Sequence, residues 1–474
     1  MAVIEHVVVL MLENRSFDCM LGRLYPADPD YRGLTLNEFN RYAGSAFGVW
    51  NDTGMGPTTA TLPDPDPGEF FTDMNTQIFG AADPGALPPT MSGFAQSYAT
   101  QTGKGVFAAS AVMHYFTPEQ VPVISTLARA FGVSDQWHAS APCQTWPNRF
   151  FAHTGTSQGY VDNHAFPIPF GAASLFRRLE DAGSTWRVYF HDMPQSLLLK
   201  DVWSCAAARY RPFEQFLADA HTGSLPNYSF IEPRYFTDLF SSFIPNDEHP
   251  PHNVVYGEQL IASVYNAVRG SPGWSKTLLI ITYDEHGGCF DHVAPPPAVP
   301  PDGLVANAAG FRFDRYGVRV PAVLISPYIP AGSKIRPAPN AAGVVVPFDH
   351  TSIIKSVCDW FAPGAPLTAR VAAAPGLASA LSLAAPINDG PPNIDAASAD
   401  PTPELLLARS SAAPNFMQAN LAAAAATLPD HAPQGPQDIA PSVPPDPTAY
   451  ATVATAAASA IARTKSFLGL WPAA

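Results

Sequence analysis

Two short polar pairs follow the two most apolar runs of the chain: Glu13-Asn14 after HVVVLML, and Asp284-Glu285 after TLLIITY. A carboxylate at the end of a buried strand is costly unless a cation or hydrogen-bond donors meet it. Singly, each pair can serve as a helix cap or as a partner for Arg15. Together they read as oxygen ligands converging on a divalent metal. Such hard ligands favour Mn, Mg, Ca or Fe over a thiolate zinc site, although the pattern does not separate these ions from an oxygen-ligated Zn. A third element is CQTWPNRFFAHTGTSQG. Pro147 marks a first helical turn, so the Thr145 hydroxyl would lie where free backbone N–H groups and the helix dipole favour an anion. An ordinary Thr N-cap is the plain alternative, and the polar pair Asn148 and Arg149 follows one turn on.

These residues need a scaffold that brings strand ends together. Val7–Leu12 is a continuous Val-rich run, long enough for a fully covered parallel strand and short for a helix. Trp186–Phe190, Tyr228–Ile231, Thr277–Tyr283 and Val320–Ser326 have the same character, and Asn253–Arg269 shows apolar residues at helical spacing. Strands alternating with helices predict an α/β fold whose sheet is covered on both faces, with the ligand crevice at the strand ends. Residues 25–105 dissolve into Pro, Gly, Asp, Asn and aromatics (Phe39 to Phe79 among them) and read as an irregular lid or insert. From Pro363 to Ala474, 50 of 112 residues are Ala or Pro, a composition that argues against an independent β core. The expected division is therefore a catalytic domain over 1–362 and an Ala/Pro-rich extension over 363–474.

The net charge of −14 repels nucleic acid, so no nucleic-acid partner is expected. Five scattered Cys give neither a disulfide framework nor a Cys-x-x-Cys zinc pattern. No run is long enough to span a membrane, and the N-terminus lacks the basic and small-residue flanks of a leader. The chain as written reads as cytoplasmic, or as secreted or periplasmic if a leader was removed.

HVVVLMLENRSFDCMLG, PTMSGF, MHYFTPEQVPVISTLARAFGVSDQWHAS, TWPNRFFAHTGT, TYDEHGGCFDHVAPP, YGVRVPAVLISPYI and FDHTSIIKSVCDWF occur in that order. From His6 to about Phe361 they resemble the bacterial phosphoesterase family that contains phospholipases C and respiratory-burst-inhibiting acid phosphatases. The resemblance implies an alkaline phosphatase-like α/β sandwich with one large mixed, mostly parallel sheet and a metal-assisted covalent mechanism. It makes Thr145 the nucleophile. Glu13, Asn14, Asp284 and Glu285 become metal ligands, completed by the Thr145 oxygen, while Asn148 becomes a phosphate-binding amide and His114 reaches the phosphoryl group. His249 fits by its spacing before Asp284, and His191 by lying after a predicted strand. His252, His286, His292 and His350 read as braces for loops. In-line attack by Thr145 on phosphorus would give a phosphothreonine, which water then hydrolyses.

The substrate implied is a phosphate monoester or a phospholipid head-group ester. An aromatic lid could cage a quaternary ammonium or could form its own small core. Two other readings remain: an inactive binding or adhesion protein on the same fold, and, from Cys143 near Pro147 and Arg149, a sulfatase. The final segment ends in Phe467, Leu468, Leu470 and Trp471. It reads as an assembly arm that makes a homo-oligomer, as a peripheral membrane contact, or as a tip buried in its own chain.

Overall fold

The architecture is that of a computed structural model, which describes residues 3–470 other than 53, 55, 57, 102–104, 164–167, 240–241, 307–309, 341 and 434–441. Among the described residues ten strands occur in chain order: β1 (His6–Leu12), β2 (Phe39–Tyr42), β3 (Ser45–Gly48), β4 (Gly132–Val133), β5 (Trp186–Phe190), β6 (Tyr210–Pro212), β7 (Tyr228–Glu232), β8 (Thr277–Tyr283), β9 (Ala322–Ile325) and β10 (Ser333–Lys334). Eight of them form one sheet in the order β10-β4-β9-β8-β1-β7-β5-β6. Pairing is parallel except at β9, which runs antiparallel to both β8 and β4. The sheet is thus mixed and mostly parallel, as expected.

β1 and β8 lie side by side in its middle. Val7–Leu12 and all of Thr277–Tyr283 are buried, which is why neither run alternates polar with apolar residues. Helix Val254–Arg269 packs on both, with Val254, Leu260, Ile261, Val264, Tyr265 and Val268 turned inward. Asn253 caps it by accepting from the Val255 N–H. Within the large sheet, the strands that sequence periodicity does not announce are β4, β6 and β10, each two or three residues long and too short to show a period.

Residues 25–105 are more regular than their composition suggests. They hold the β2–β3 hairpin and helices Phe71–Phe79 and Phe94–Gln101. Ile78, Met91, Phe94 and Tyr98 from this segment share a small core with Phe290 and Val318, while Phe39 and Phe70 stay exposed. Most of its aromatics therefore serve packing.

The C-terminal residues form helices Pro403–Ser411, Phe416–Ala425 and Val453–Leu468. Of the three readings of the C-terminal tip, Phe467 and Leu468 follow burial in their own chain: both lie in its core, Phe467 meeting Trp203 at 5.4 Å between ring centroids. Burial against the same chain leaves these two side chains unavailable as an anchor for a second subunit. Trp471 lies outside the described residues. Among the described residues no helix is long and apolar enough to cross a membrane.

Candidate active site

The β1–β8 register pairs Leu12 with Tyr283, so the next residues of each strand, Glu13-Asn14 and Asp284-Glu285, emerge together at one edge. The Asp284 N–H donates to the Leu12 carbonyl at 3.2 Å. The Asn14 N–H donates to Asp284 Oδ1 at 3.1 Å. Asn14 adopts a left-handed backbone, φ 60°, which Asn tolerates better than most residues. Opposite it, Gly287 (φ +58°) packs so tightly that a Cβ would stand 2.1 Å from the Asn14 carbonyl oxygen. Only glycine fits there.

Thr145 begins the helix Thr145–Thr154, fully buried, and its hydroxyl donates to Asn14 Oδ1 at 3.4 Å. The entry to this helix is pinned by side chains. Asn163 accepts from the Trp146 N–H at 2.8 Å and donates its own N–H to Gln144 Oε1 at 2.9 Å. Asn148 is placed differently from the role that the resemblance implies. Its Oδ1 accepts from the Ala141 N–H at 3.1 Å, and its amide donates to the carbonyls of Ala141, Cys143 and Gln144 at 3.2, 2.6 and 3.3 Å. Both ends are committed to the loop that delivers Thr145.

Charge around this edge is unbalanced. Arg149, one turn beyond Thr145 and buried, reaches Asp284 at 3.1 Å, Glu13 at 3.3 Å and Glu232 at 3.5 Å, and donates to the Met11 and Leu12 carbonyls. Burial opposes its charge, but Tyr235, Asp284, Glu13 and Glu232 hold its pKa above the usual arginine value. One guanidinium does not suffice for the carboxylates present. Burial pushes Glu13, Asp284 and Glu285 upward, with Arg149 opposing the rise at Glu13 and Asp284, and Asp284 adding to it at Glu285. Glu13 Oε2 and Glu285 Oε1 are buried without a hydrogen-bond partner. The open oxygens of Glu13 and Glu285 are of the hard type that a divalent ion takes, whereas both oxygens of Asp284 are already engaged, Oδ1 by the Asn14 and Glu285 N–H groups and Oδ2 by Arg149.

Residues that the sequence reading missed, Glu69, Asp66, Gln195 and Asp247, belong to the same edge, as does His249, which it named. Glu69, from the 25–105 segment, accepts from Asn14 Nδ2 at 2.5 Å. Asp66 and His249 lie beside it, and these three groups are close enough together to hold an ion. Gln195 donates to Glu13 Oε1 at 2.6 Å, and the Asp247 carbonyl accepts from the Glu13 N–H at 2.8 Å. The available signal was the pair of acidic stretches DPDPGEF and NDEHPPH, each set among prolines. The histidines divide. His350 braces the site through the Asp284 carbonyl at 2.6 Å, His286 binds Gln77 at 2.7 Å, His252 binds Asp247 at 2.6 Å, and His292 binds Asp18 at 2.6 Å. His114 is buried between Trp50 and Phe116 with neither ring nitrogen bonded, and burial lowers its pKa to about 4. His191 is not brought to Thr145: its Nδ1 meets the Glu232 carbonyl at 3.1 Å, and its ring stacks on Phe213 beside a separate cavity.

The phosphoesterase family model matches residues 4–362, a span that contains all of these groups. The chain belongs to the phosphoesterase family. Among its relatives, non-specific phospholipase C1 of Arabidopsis thaliana is 39% identical over 376 residues, covering 76% of this chain and 67% of the relative. Phospholipase C A of Mycobacterium tuberculosis is 30% identical over 441 residues, covering 82% and 79%. A solved alkaline phosphatase superfamily protein from Vibrio parahaemolyticus aligns at a TM-score of 0.30 and 11% identity, over 51% of this chain and 60% of its own. This phosphoesterase is a phosphoric ester hydrolase.

The buried acids of this phosphoesterase predict its pH response. Burial lifts Glu248 to about 8, and Asp192 and Glu258 to about 7. A carboxyl with a raised folded pKa stabilises the fold below its unfolded value, and that stability is lost as pH rises through the folded one. Buried histidines act oppositely below about 6.5, the ordinary histidine value, since burial lowers His138, His153 and His286 to between about 3 and 4. Above that pH they are silent. Chelator-treated protein should therefore lose Tm from about pH 6.5 to 8, and an added divalent metal, which binds the deprotonated site, should offset the loss. A chelated protein whose Tm stays flat or rises in that window would show these carboxyls already ionised in the fold.

Proposed function

We propose that this phosphoesterase cleaves phospholipid head-group esters in the manner of a phospholipase C, through a phosphothreonine at Thr145. The observation that carries the reading is the buried Thr145 hydroxyl at the start of a helix, 3.4 Å from Oδ1 of Asn14, the residue that follows β1 and bonds Asp284 after β8. A divalent ion held by Glu13, Asn14, Asp284 and Glu285 would lower the pKa of that hydroxyl and offset charge on the phosphoryl group. Thr145 Oγ1 attacks phosphorus, and the bond from phosphorus to the glycerol oxygen breaks. Water then displaces Thr145 from the same phosphorus. Asn148 holds the 141–144 loop and so fixes where the nucleophile stands. His114 is neutral at physiological pH and acts as a hydrogen-bond donor to a phosphoryl oxygen rather than as a proton source.

A diester is favoured over a monoester by a cavity of about 490 Å³ whose lining includes Thr61, Ile244, Pro251, His252, Leu405 and Val453. Its wall is largely apolar, suiting the lipid side of the leaving group. His252 links it to the Asp247 loop that meets Glu13. A panel of phosphatidylcholine, sphingomyelin and several monoesters, run with different divalent metals, tests the assignment. Turnover of the lipids should exceed that of the monoesters, and vanadate should compete with substrate as a phosphoryl transition-state mimic. Hydrolysis confined to monoesters would replace the phospholipase reading with a phosphatase one, and no hydrolysis at all would favour a binding protein.

A further inference from the structure

β5 and β7 are parallel neighbours in which Phe190 pairs with Glu232, so His191 and Arg234 leave the sheet close together. Both line a cavity of about 280 Å³ to which Glu13, Asn14, Thr145, Asp284 and Glu285 do not contribute. Arg234 is unlike the fully buried arginines. Arg15, Arg149, Arg319 and Arg370 each spend their guanidinium on carboxylates or carbonyls. Among the described residues the Arg234 guanidinium makes no ion pair and donates no hydrogen bond; it lies over the Phe243 ring, 4.2 Å from the centroid. Such stacking covers one face of the plane and leaves the N–H groups at its edge free to bond. The backbone beneath is fixed, because the Arg234 N–H donates to Asn246 Oδ1 at 2.5 Å and the Asn246 N–H donates to the Arg234 carbonyl at 3.1 Å.

Burial works against this charge, and Asp192, Glu214 and Asp238 support it only from beyond ion-pair distance. Asp192 spends its carboxylate on the N–H groups of Met193, Tyr235 and Phe236, at 2.7, 2.8 and 2.9 Å. A partly desolvated guanidinium is costly unless an anion meets it. Donors for that anion line the same cavity. Asn246 has its Oδ1 committed, which leaves the Nδ2 amide, and Ser242 and Ser263 bring hydroxyls. His191 donates Nδ1–H to the Glu232 carbonyl at 3.1 Å, so its Nε2 keeps a lone pair that can accept the proton of a phosphate monoanion. Opposite charge marks another part of the wall, where Asp400 and Tyr256 stand. After burial, Asp400 is the largest influence raising the Tyr256 pKa, whereas the acids acting on Arg234 are Asp192, Glu214 and Asp238. Asp400 therefore sits at Tyr256, away from the guanidinium. A carboxylate beside an aromatic ring suits an ammonium group.

We propose that this cavity binds a small zwitterion, a phosphomonoester of an amino alcohol such as phosphocholine, with its phosphate on Arg234 and its ammonium group toward Tyr256 and Asp400. A bare anion would meet Asp400 and a bare cation would meet Arg234, so a molecule that carries both charges satisfies both. The volume lies just below the range of about 300–1,000 Å³ usual for ligand pockets, which suits a head group and leaves no room for acyl chains. Ile244 and Tyr256 also line the 490 Å³ cavity, so the two spaces share a wall. Asp400 comes from the C-terminal extension, outside the residues that the family model matches. The choice of phosphocholine rests on the phospholipase reading, since it is the soluble product of that reaction; the anion site at Arg234 does not.

The test is calorimetric titration of the full-length protein with phosphocholine, inorganic phosphate and choline chloride in turn. Chelator is present, so that no divalent ion draws phosphate to the Glu13–Glu285 edge. Wild type should bind phosphocholine more tightly than either fragment. Arg234→Met should weaken phosphocholine at least about ten-fold, the worth of a charge-assisted hydrogen bond. Asp400→Asn should weaken it about three-fold, as expected for an exposed charge, and leave phosphate unchanged. Circular dichroism checks the fold of each variant. If Arg234→Met does not fold, a crystal structure of wild type with phosphocholine decides, with phosphate density at Arg234 supporting the site and density confined to the Thr145 edge overturning it. No binding to wild type, or equal binding to wild type and Arg234→Met, would overturn the proposal, and so would phosphate binding as tightly as phosphocholine with no effect of Asp400→Asn. Phosphocholine binding that depends on Arg234 in a protein that hydrolyses no phospholipid would keep this site and remove the phospholipase reading. Lipid turnover with binding indifferent to Arg234 would do the reverse.

Discussion

Thr145→Ala is expected to lower kcat by at least about a thousand-fold on every ester the enzyme accepts, while Tm and metal content change little. The size follows from position. Among the described residues, Thr145 brings the one hydroxyl bonded to Asn14 Oδ1. Under the proposed mechanism, removing it deletes the attacking atom and not a supporting charge, so neighbouring groups have nothing to act on. The structural cost should be small. The neighbouring Trp146 N–H is held by Asn163, and Asn148 staples the preceding loop without using Thr145. Thr145→Ser, which keeps the oxygen and loses only a methyl group, should retain most of the rate. Steady-state kinetics on a lipid and an aryl phosphate, alongside thermal melts, separate the outcomes: an alanine variant within ten-fold of wild type would remove Thr145 from the chemistry, and a collapsed Tm would make it structural.

Much of the positioning could be read from the chain. β1 and β8 announce themselves as unbroken apolar runs because both faces of the central sheet are covered, and the polar residues after them had to meet wherever those strands became neighbours. The helix after Gln144 was legible from Pro147, and the Val254–Arg269 helix from its apolar spacing and its Asn253 cap. What stayed hidden was fixed by contacts across long sequence distances. Glu69 reaches Asn14 from 55 residues away, out of a segment whose Pro-rich composition says nothing about a partner. Asn148 carries the residue type of a phosphate ligand, but the tight 141–144 loop supplies three carbonyls that claim its amide first. His191 does follow a strand, yet β5 lies two places from β1 in the sheet, and its end opens beside a different cavity. The C-terminal tip reads from sequence as an assembly arm, a membrane contact or a buried end alike, and the fold uses Phe467 and Leu468 to close its own core.

Arg149→Met should be among the most destabilising single changes available to this protein, costing about 3–5 kcal/mol. Methionine matches the length of the arginine stem and keeps its packing, so the loss isolates the charge. Three buried carboxylates, Glu13, Glu232 and Asp284, would lose their shared counter-ion, and the Met11 and Leu12 carbonyls would lose their donors. Removing one member of a buried ionic group is far costlier than replacing the whole group, because the remaining charges stay desolvated. The pH dependence identifies the cause. Protonated carboxyls need no counter-ion, and burial already raises the pKa of Glu13 and Asp284. The deficit of Arg149→Met against wild type should therefore shrink as pH falls from 8 toward 5 and widen in the opposite direction. Arg149→Lys should fall between the two, since it keeps the charge but not the planar fork that serves Asp284 and two carbonyls at once. Urea midpoints for the three proteins at pH 5 and pH 8, with and without divalent metal, supply the comparison. A deficit of the same size at both pH values would point to lost packing and hydrogen bonds instead, and a deficit below about 1 kcal/mol would mean that water or a bound ion, not Arg149, neutralises these acids in solution.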